Sequence, residues 1–288
     1  MYPRFLIISN SKNMKTISNY LFIIIVTLFL TSCETPIDVS LDTANPKLVI
    51  DAVIKWQKGT SGNEQKIKLT TTTNFYANTI PIVSGATVYI TNSTNAVFNF
   101  IEMPNTGEYL CTNFVPVINE NYTLTVINNG QTYKATDKLL ATPDIDNISQ
   151  IAVPGVGGAN LIQVKFFYQD NGLEDNFYLI GFKNSTKAFG EFGVVKDRFF
   201  QGNQMFGFYS NDKLKAGNKL NVYLQGISER YNNYMEKLLN IAATDGGNPF
   251  STPPATLRGN IINQTNEDNF ALGYFSLGEV DTDIYTVQ

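Results

Sequence analysis

The sequence has no histidine, one tryptophan and two cysteines, and only 16% of its 288 residues are charged. Without an imidazole, no Ser-His-Asp triad, Cys-His pair or His-ligated metal centre is available. Two cysteines allow at most one disulfide. A basic surplus is also missing: Lys and Arg total 21 against 25 Asp and Glu, a net charge of −4. Nucleic-acid binders carry the opposite balance, so that class is excluded as a partner. Charge this sparse, beside 43% hydrophobic and 12% aromatic residues, does not suit a disordered tail or a coiled coil. There is no internal repeat, low-complexity segment or phosphate-cradling glycine loop. What remains is a core-forming chain long enough for two domains.

Residues 1–32 hold Arg4, Lys12 and Lys15 and no acid, and Tyr20–Leu30 is an apolar run broken only by Thr27. That run is about half of the ~20 residues a membrane span needs and fits the h-region of a signal peptide. Met14-Lys15 already supplies an n-region, so Met1 and Met14 both stand as starts. Leu30-Thr31-Ser32-Cys33 resembles a bacterial lipobox, in which the cysteine thiol receives diacylglycerol and the chain is cut before it. The alternative is a chance cysteine behind an ordinary signal. The lipobox reading implies a membrane partner through the acyl anchor, since two or three chains hold stably where one is marginal. Glu34 follows the cysteine; an aspartate there marks inner-membrane retention, so the expected destination is the outer membrane, facing either side. Residues 33–46 read as an acylated tether. Within it Asp42-Thr43-Ala44 resembles a periplasmic O-glycosylation acceptor at Thr43, a match short enough to arise by chance.

From Lys47 the pattern changes to period two. Leu48, Ile50, Ala52, Ile54 and Trp56 alternate with Asp51 and Lys55, as in a half-buried strand. Short runs of the same kind cover 65–72, 86–91, 96–103, 108–111, 122–127 and 131–136. Turn chemistry separates them, and Asn129-Gly130 is a type I′ hairpin signal. Residues 47–143 therefore read as an immunoglobulin-like β-sandwich. Ala141–Asp146 reads as a boundary, and 144–288 as a second β-rich domain with one helix. Its strands are expected at 148–153, 161–168, 177–183, 204–209, 220–225, 256–262 and 270–277. The helix is expected at Ser228–Ala242, capped by Ser228, with Tyr231, Tyr234, Met235, Leu238 and Leu239 forming one apolar stripe. The fold class is mainly β.

Ile227–Tyr231, Tyr234, Asn248-Pro249-Phe250-Ser251-Thr252-Pro253-Pro254 and Gly273-Tyr274-Phe275, in that order, resemble a domain family of unknown function from Bacteroidota outer-membrane lipoproteins. Cys33, Ile37-Asp38-Val39 and Lys47–Ile50 agree with the start of that family. The polar stretch Asn260–Asn269 is longer than the family's turn at that place. The resemblance implies a setting beside a TonB-dependent receptor, the expected partner, and no agreed activity.

Candidate chemistry is thin. Asp170–Asn176 is rich in oxygen ligands, either a Ca²⁺ loop without EF-hand spacing or a solvated turn; no metal or cofactor is assigned. Glu174, Asp175, Glu191, Asp197 and Glu229 are the acids available for paired-carboxylate hydrolysis and read as surface groups. Cys111 reads as a small buried hydrophobe. Phe166-Phe167-Tyr168, Phe199-Phe200 and Phe208-Tyr209 place rings on both faces of strands, for the core or for a partner. The helix's polar face, with Arg230, Asn233 and Lys237, and Phe250 in the proline-stiffened loop beyond it are the expected partner-binding residues. Phe250 has a competing role as a core plug. These features favour a non-enzymatic binding or accessory subunit of the receptor system, acting in ligand capture or gating. A structural or assembly subunit of an envelope complex is the alternative, and a hydrolase is disfavoured.

Overall fold

The computed structural model describes Tyr20 and residues 45–288 apart from 75–76, 156–157, 159 and 245–256. The expected signal segment, Cys33, Thr43 and the Phe250 loop lie outside the described residues. Residues Asn45–Gln288 form one compact unit.

The first seven strands are β1 (Leu48–Gln57), β2 (Gln65–Thr71), β3 (Thr87–Asn92), β4 (Val97–Met103), β5 (Glu108–Cys111), β6 (Asn121–Asn128) and β7 (Gln131–Leu140). Each alternates as its sequence does: Ile50, Ala52 and Ile54 of β1 are buried while Asp51 and Lys55 face outward. Asn129 and Gly130 both take positive φ, 49° and 73°, and turn β6 into β7 as the hairpin signal demands.

Eight further strands and one helix follow. They are β8 (Ile145–Pro154), β9 (Asn160–Gln169), β10 (Phe177–Asn184), β11 (Glu191–Lys196), β12 (Gln204–Ser210), β13 (Lys219–Gly226), α1 (Glu229–Thr244), β14 (Ile262–Asn263) and β15 (Leu272–Thr286). Three differ from expectation, β15 by continuing past the expected 277 to Thr286. The strand expected at 256–262 shrinks, among the described residues, to the short β14. β11 was not expected, its pattern being broken by Gly190 and Gly193.

The chain is mainly β as expected, but the pairing of 47–143 is not clearly that of an immunoglobulin-like sandwich. The strand order β15-β1-β2-β5-β4-β3-β6-β7 closes when β7 meets β15 in parallel, at Leu139–Leu277 and Leu140–Gly278. The first half is thus a barrel-like sheet of eight strands rather than two facing sheets. β15 runs parallel to β1 from Leu272 to Val280 and fills the gap that would leave two unpaired edges. The sandwich lies instead in the second half. There β11-β10-β13-β15 faces β12-β9-β8 across Val164, Phe166, Tyr168, Val222 and Leu224.

The chain cut expected at 143/144 does not divide the two cores. Ile261, Ala271, Phe275 and Leu277 belong to the barrel core with Ile50, Leu69 and Tyr122. Nor is the corner at Ala141–Asp146 a loose linker. Thr142 is buried; its Oγ1 donates to the Glu279 carbonyl at 2.5 Å and accepts from the Gly226 N–H. Ile145 N–H donates to Asp281 at 2.7 Å.

Residues 45–143 expressed alone lack one stave of the barrel and are expected to show no cooperative thermal transition; co-expression with 144–288 is expected to restore it. In the intact chain Phe275→Ala should cost about 3–5 kcal/mol in urea unfolding, as for any fully buried ring. A loss below about 1 kcal/mol would remove β15 from the barrel core.

Candidate functional site

α1 lies across the outer face of the continuous sheet, against β10 and β11. Ser228 caps it: Tyr231 N–H donates to Ser228 Oγ at 3.3 Å and Asn232 N–H to the Ser228 carbonyl at 2.8 Å. The Ser228 hydroxyl donates in turn to Asp137 of β7 at 3.2 Å, which pins the helix start to the barrel. One turn in, Tyr231 and Tyr234 close on Tyr274 of β15, with centroids 4.7 Å from Tyr274 in both cases. Burial raises all three phenols, Tyr274 up to about 12, so they remain neutral and act as apolar platforms with polar tips. The expected stripe holds for Tyr231, buried, and for half-buried Tyr234, Met235 and Leu239. Leu238 departs from it, 38% exposed at a groove edge.

The opposite helix face carries exposed Arg230, Asn233 and Lys237. These three expected partner-binding residues line one open pocket of about 260 Å³, floored by Tyr234 and Tyr274 and closed by Leu257–Asn260. Sequence reasoning missed the far wall. Asn260 donates to the Phe275 carbonyl at 2.8 Å and accepts from the Phe275 N–H at 2.9 Å, so one side chain replaces a strand partner. Beside it Gly259 crosses Gly273 backbone to backbone; a Cβ on Gly259 would sit 1.7 Å from the Gly273 carbonyl oxygen. That crossing brings Arg258 up to the helix, its guanidinium stacked 3.7 Å from the Phe270 ring centroid.

On the other side of Tyr234 and Tyr274 runs a groove of about 760 Å³. Phe192, Tyr223, Met235 and Leu238 form one wall, and outward-facing Lys55, Lys66, Lys68 and Glu108 of the barrel form the other. Glu108 pairs with Lys66 at 3.1 Å and Lys68 at 3.7 Å. Buried Gln225 accepts from the Tyr223 hydroxyl at 2.6 Å, while its Nε2 has no partner.

Other candidates are placed elsewhere. Buried Asp170 accepts from the Tyr178 hydroxyl at 2.8 Å and Gly202 N–H at 3.0 Å, and Asp175 accepts from Gln201. The acids of the suggested calcium loop thus tie it to 197–203, and among the described residues no three acidic or cysteine groups gather to hold a metal. Asp197, expected at the surface, is buried; it accepts from Asn176 N–H at 2.7 Å, and burial raises its carboxyl. Glu191 pairs with Lys187 and accepts from the Tyr209 hydroxyl, and Glu174 and Glu229 are exposed. Cys111 is buried and free, its thiol pushed up by burial. Of the paired rings, Phe166, Tyr168 and Tyr209 face the core, whereas Phe199, Phe200 and Phe208 are exposed.

Asp137 couples the helix anchor to pH. Burial pushes its carboxyl from 3.8 up to about 6, against the pull of the Lys138 N–H, the Ser228 hydroxyl and Arg230. Between about pH 4 and 6 the folded protein holds a proton the unfolded chain has released, so stability from this group falls as pH rises. The full cost, present at neutral pH, is at most about 3 kcal/mol. Asp137→Asn retains an acceptor for Ser228 and is expected to flatten this part of the profile. Urea unfolding of both proteins at pH 4 and 7 reads the difference; parallel profiles would dismiss the effect.

No curated protein matches the chain. Among solved structures, a segment of two fibronectin type III domains from chicken tenascin is similar over 64% of this chain and 91% of that one, at 12% identity and a TM-score of 0.22. The architecture above rests on strand pairing and not on that likeness. The model of a domain of unknown function, DUF4249, matches residues 34–284. With nearly all of the chain beyond Cys33 inside that match, the protein belongs to the DUF4249 family.

Proposed function

We propose that the protein is an outer-membrane-anchored lipoprotein of Bacteroidota type, acting as a binding or accessory subunit of a TonB-dependent receptor by ligand capture or gating. The observation that carries this reading is the order of parts along the chain. A lipobox-like Leu30-Thr31-Ser32-Cys33 precedes a short polar stretch, and the compact unit begins at Asn45. An acylated Cys33 on such a tether holds the folded unit close to a membrane. The helix face with Arg230, Asn233 and Lys237, beside an aromatic-walled groove, supplies a recognition surface on that unit. The reading assigns no catalytic step.

One observation favours an assembly subunit instead. Phe199, Phe200, Phe206 and Phe208 are 87%, 56%, 48% and 56% exposed, an apolar area suited to a permanent neighbour.

Cys33→Ser is expected to abolish palmitate labelling and to leave an uncleaved or soluble product, because a serine hydroxyl is a far poorer nucleophile than a thiol. Equal label in both proteins would dismiss the anchor. Purification of the wild-type chain from its own membranes then separates the two readings. A stoichiometric TonB-dependent receptor supports the accessory role, and a multiprotein envelope complex without one supports assembly.

A further inference from the structure

The pocket between α1 and Leu257–Asn260 has an unusual charge balance for this chain. Arg230 and Lys237 stand two turns apart on one helix face, and Arg258 reaches the same pocket from the opposite wall. Acids outnumber bases in the sequence, and some lysines find acidic partners, Lys58 with Asp144, Lys66 with Glu108, Lys187 with Glu191 and Lys196 with Glu236, while others among the described residues stand singly without one. Among the described residues none of Arg230, Lys237 and Arg258 has an ion pair within 4.0 Å. Asp137, whose carboxyl feels the Arg230 charge, is already engaged by the Ser228 hydroxyl and the Lys138 N–H. Three like charges around one small opening repel each other unless an anion joins them.

The stereochemistry suits an oxyanion. Stacking on Phe270 covers one face of the Arg258 guanidinium and leaves its edge N–H donors free in the plane. Arg230 adds a second fork and Lys237 a point charge, while Asn233 supplies an amide from the helix. Three positive charges match a dianion better than a single carboxylate. At about 260 Å³ the opening is small beside sites that enclose a whole ligand, so it takes one group with the rest outside.

We infer that the pocket formed by Arg230, Asn233, Lys237 and Arg258 binds the phosphate group of a phosphorylated ligand. The inference goes beyond the receptor reading, and depends on neither the anchor nor the receptor. The phosphate belongs either to a free solute or to a lipid headgroup, and the binding chemistry is the same for both.

Calorimetry on the purified Cys33→Ser chain, which removes acylation as a confounding attachment, uses inorganic pyrophosphate and glycerol 3-phosphate as solutes. Phosphatidic acid vesicles, whose headgroup is a phosphate monoester, form the second arm, against phosphatidylcholine vesicles. Binding of either solute is expected at low ionic strength and should weaken as salt is raised. Arg258→Gln should weaken it about 10- to 100-fold, the loss of one charge-assisted contact, and Arg230→Gln/Arg258→Gln should abolish it. An unchanged thermal transition shows that each variant is folded. Binding to phosphatidic acid vesicles alone assigns the phosphate to a lipid. Absence of binding in both arms, or binding indifferent to the arginine substitutions, overturns the inference. Phosphate binding without a co-purifying receptor keeps it and removes only the accessory-subunit reading.

Discussion

The barrel and the four-stranded layer of the sandwich are joined by the backbone hydrogen bonds of the last strand. β15 spends Leu272–Val280 against β1, where it closes the barrel, and Val280–Thr286 against β13, where it completes the four-stranded layer of the sandwich. A parallel partner for β1 must come from far along the sequence, because parallel strands cannot be joined by a tight turn. Here the connection is nearly the whole chain. Phe275 and Leu277 are sealed in the barrel core, while Val222 and Leu224 of β13, paired with the end of β15, face the sandwich core. The two cores are therefore coupled through one continuous backbone, that of β15.

This explains which features the sequence made legible. Local signals survive intact: the alternation of β1, the Asn129-Gly130 hairpin, the Ser228 cap and the tyrosine stripe each need only neighbours within a few residues. Barrel closure does not leave such a signal. Seven short strands with good turns before Pro143 look the same whether they form two facing sheets or await an eighth stave from residue 272 onward. Hydrophobic alternation specifies that one face is buried, not which strand lies alongside. The boundary at Ala141–Asp146 misled for a related reason. Thr, Pro and Asp suit a linker and suit equally a tight corner, and only the contacts of Thr142 with Glu279 and Gly226 decide between them.

The site shows the same division. Arg230, Asn233 and Lys237 were identifiable as one helix face because seven residues make about two turns. Arg258 was not, since its approach depends on Gly259 crossing Gly273 and on Asn260 holding the backbone of Phe275. A glycine inside a polar stretch ordinarily marks a turn. Here it marks a place where two backbones meet too closely for any Cβ, and the spatial partner is invisible along the chain.

The helix is consequently held in place at its N-terminal half. Its start is fixed to β7 through Ser228 and Asp137, and its first two turns are fixed to β15 through the tyrosine cluster. Rigid placement lowers the ordering cost of binding, so the polar face of α1 need not rearrange to present its charges. Tyr234 and Tyr274 form part of the wall of both the small basic pocket and the larger groove. A displacement of either ring on one side necessarily alters the other side, because packed rings have few alternative positions in a close-packed setting. The strand that joins the two cores also supplies Tyr274, so the pocket and the groove are tied to the same backbone seam that couples the cores.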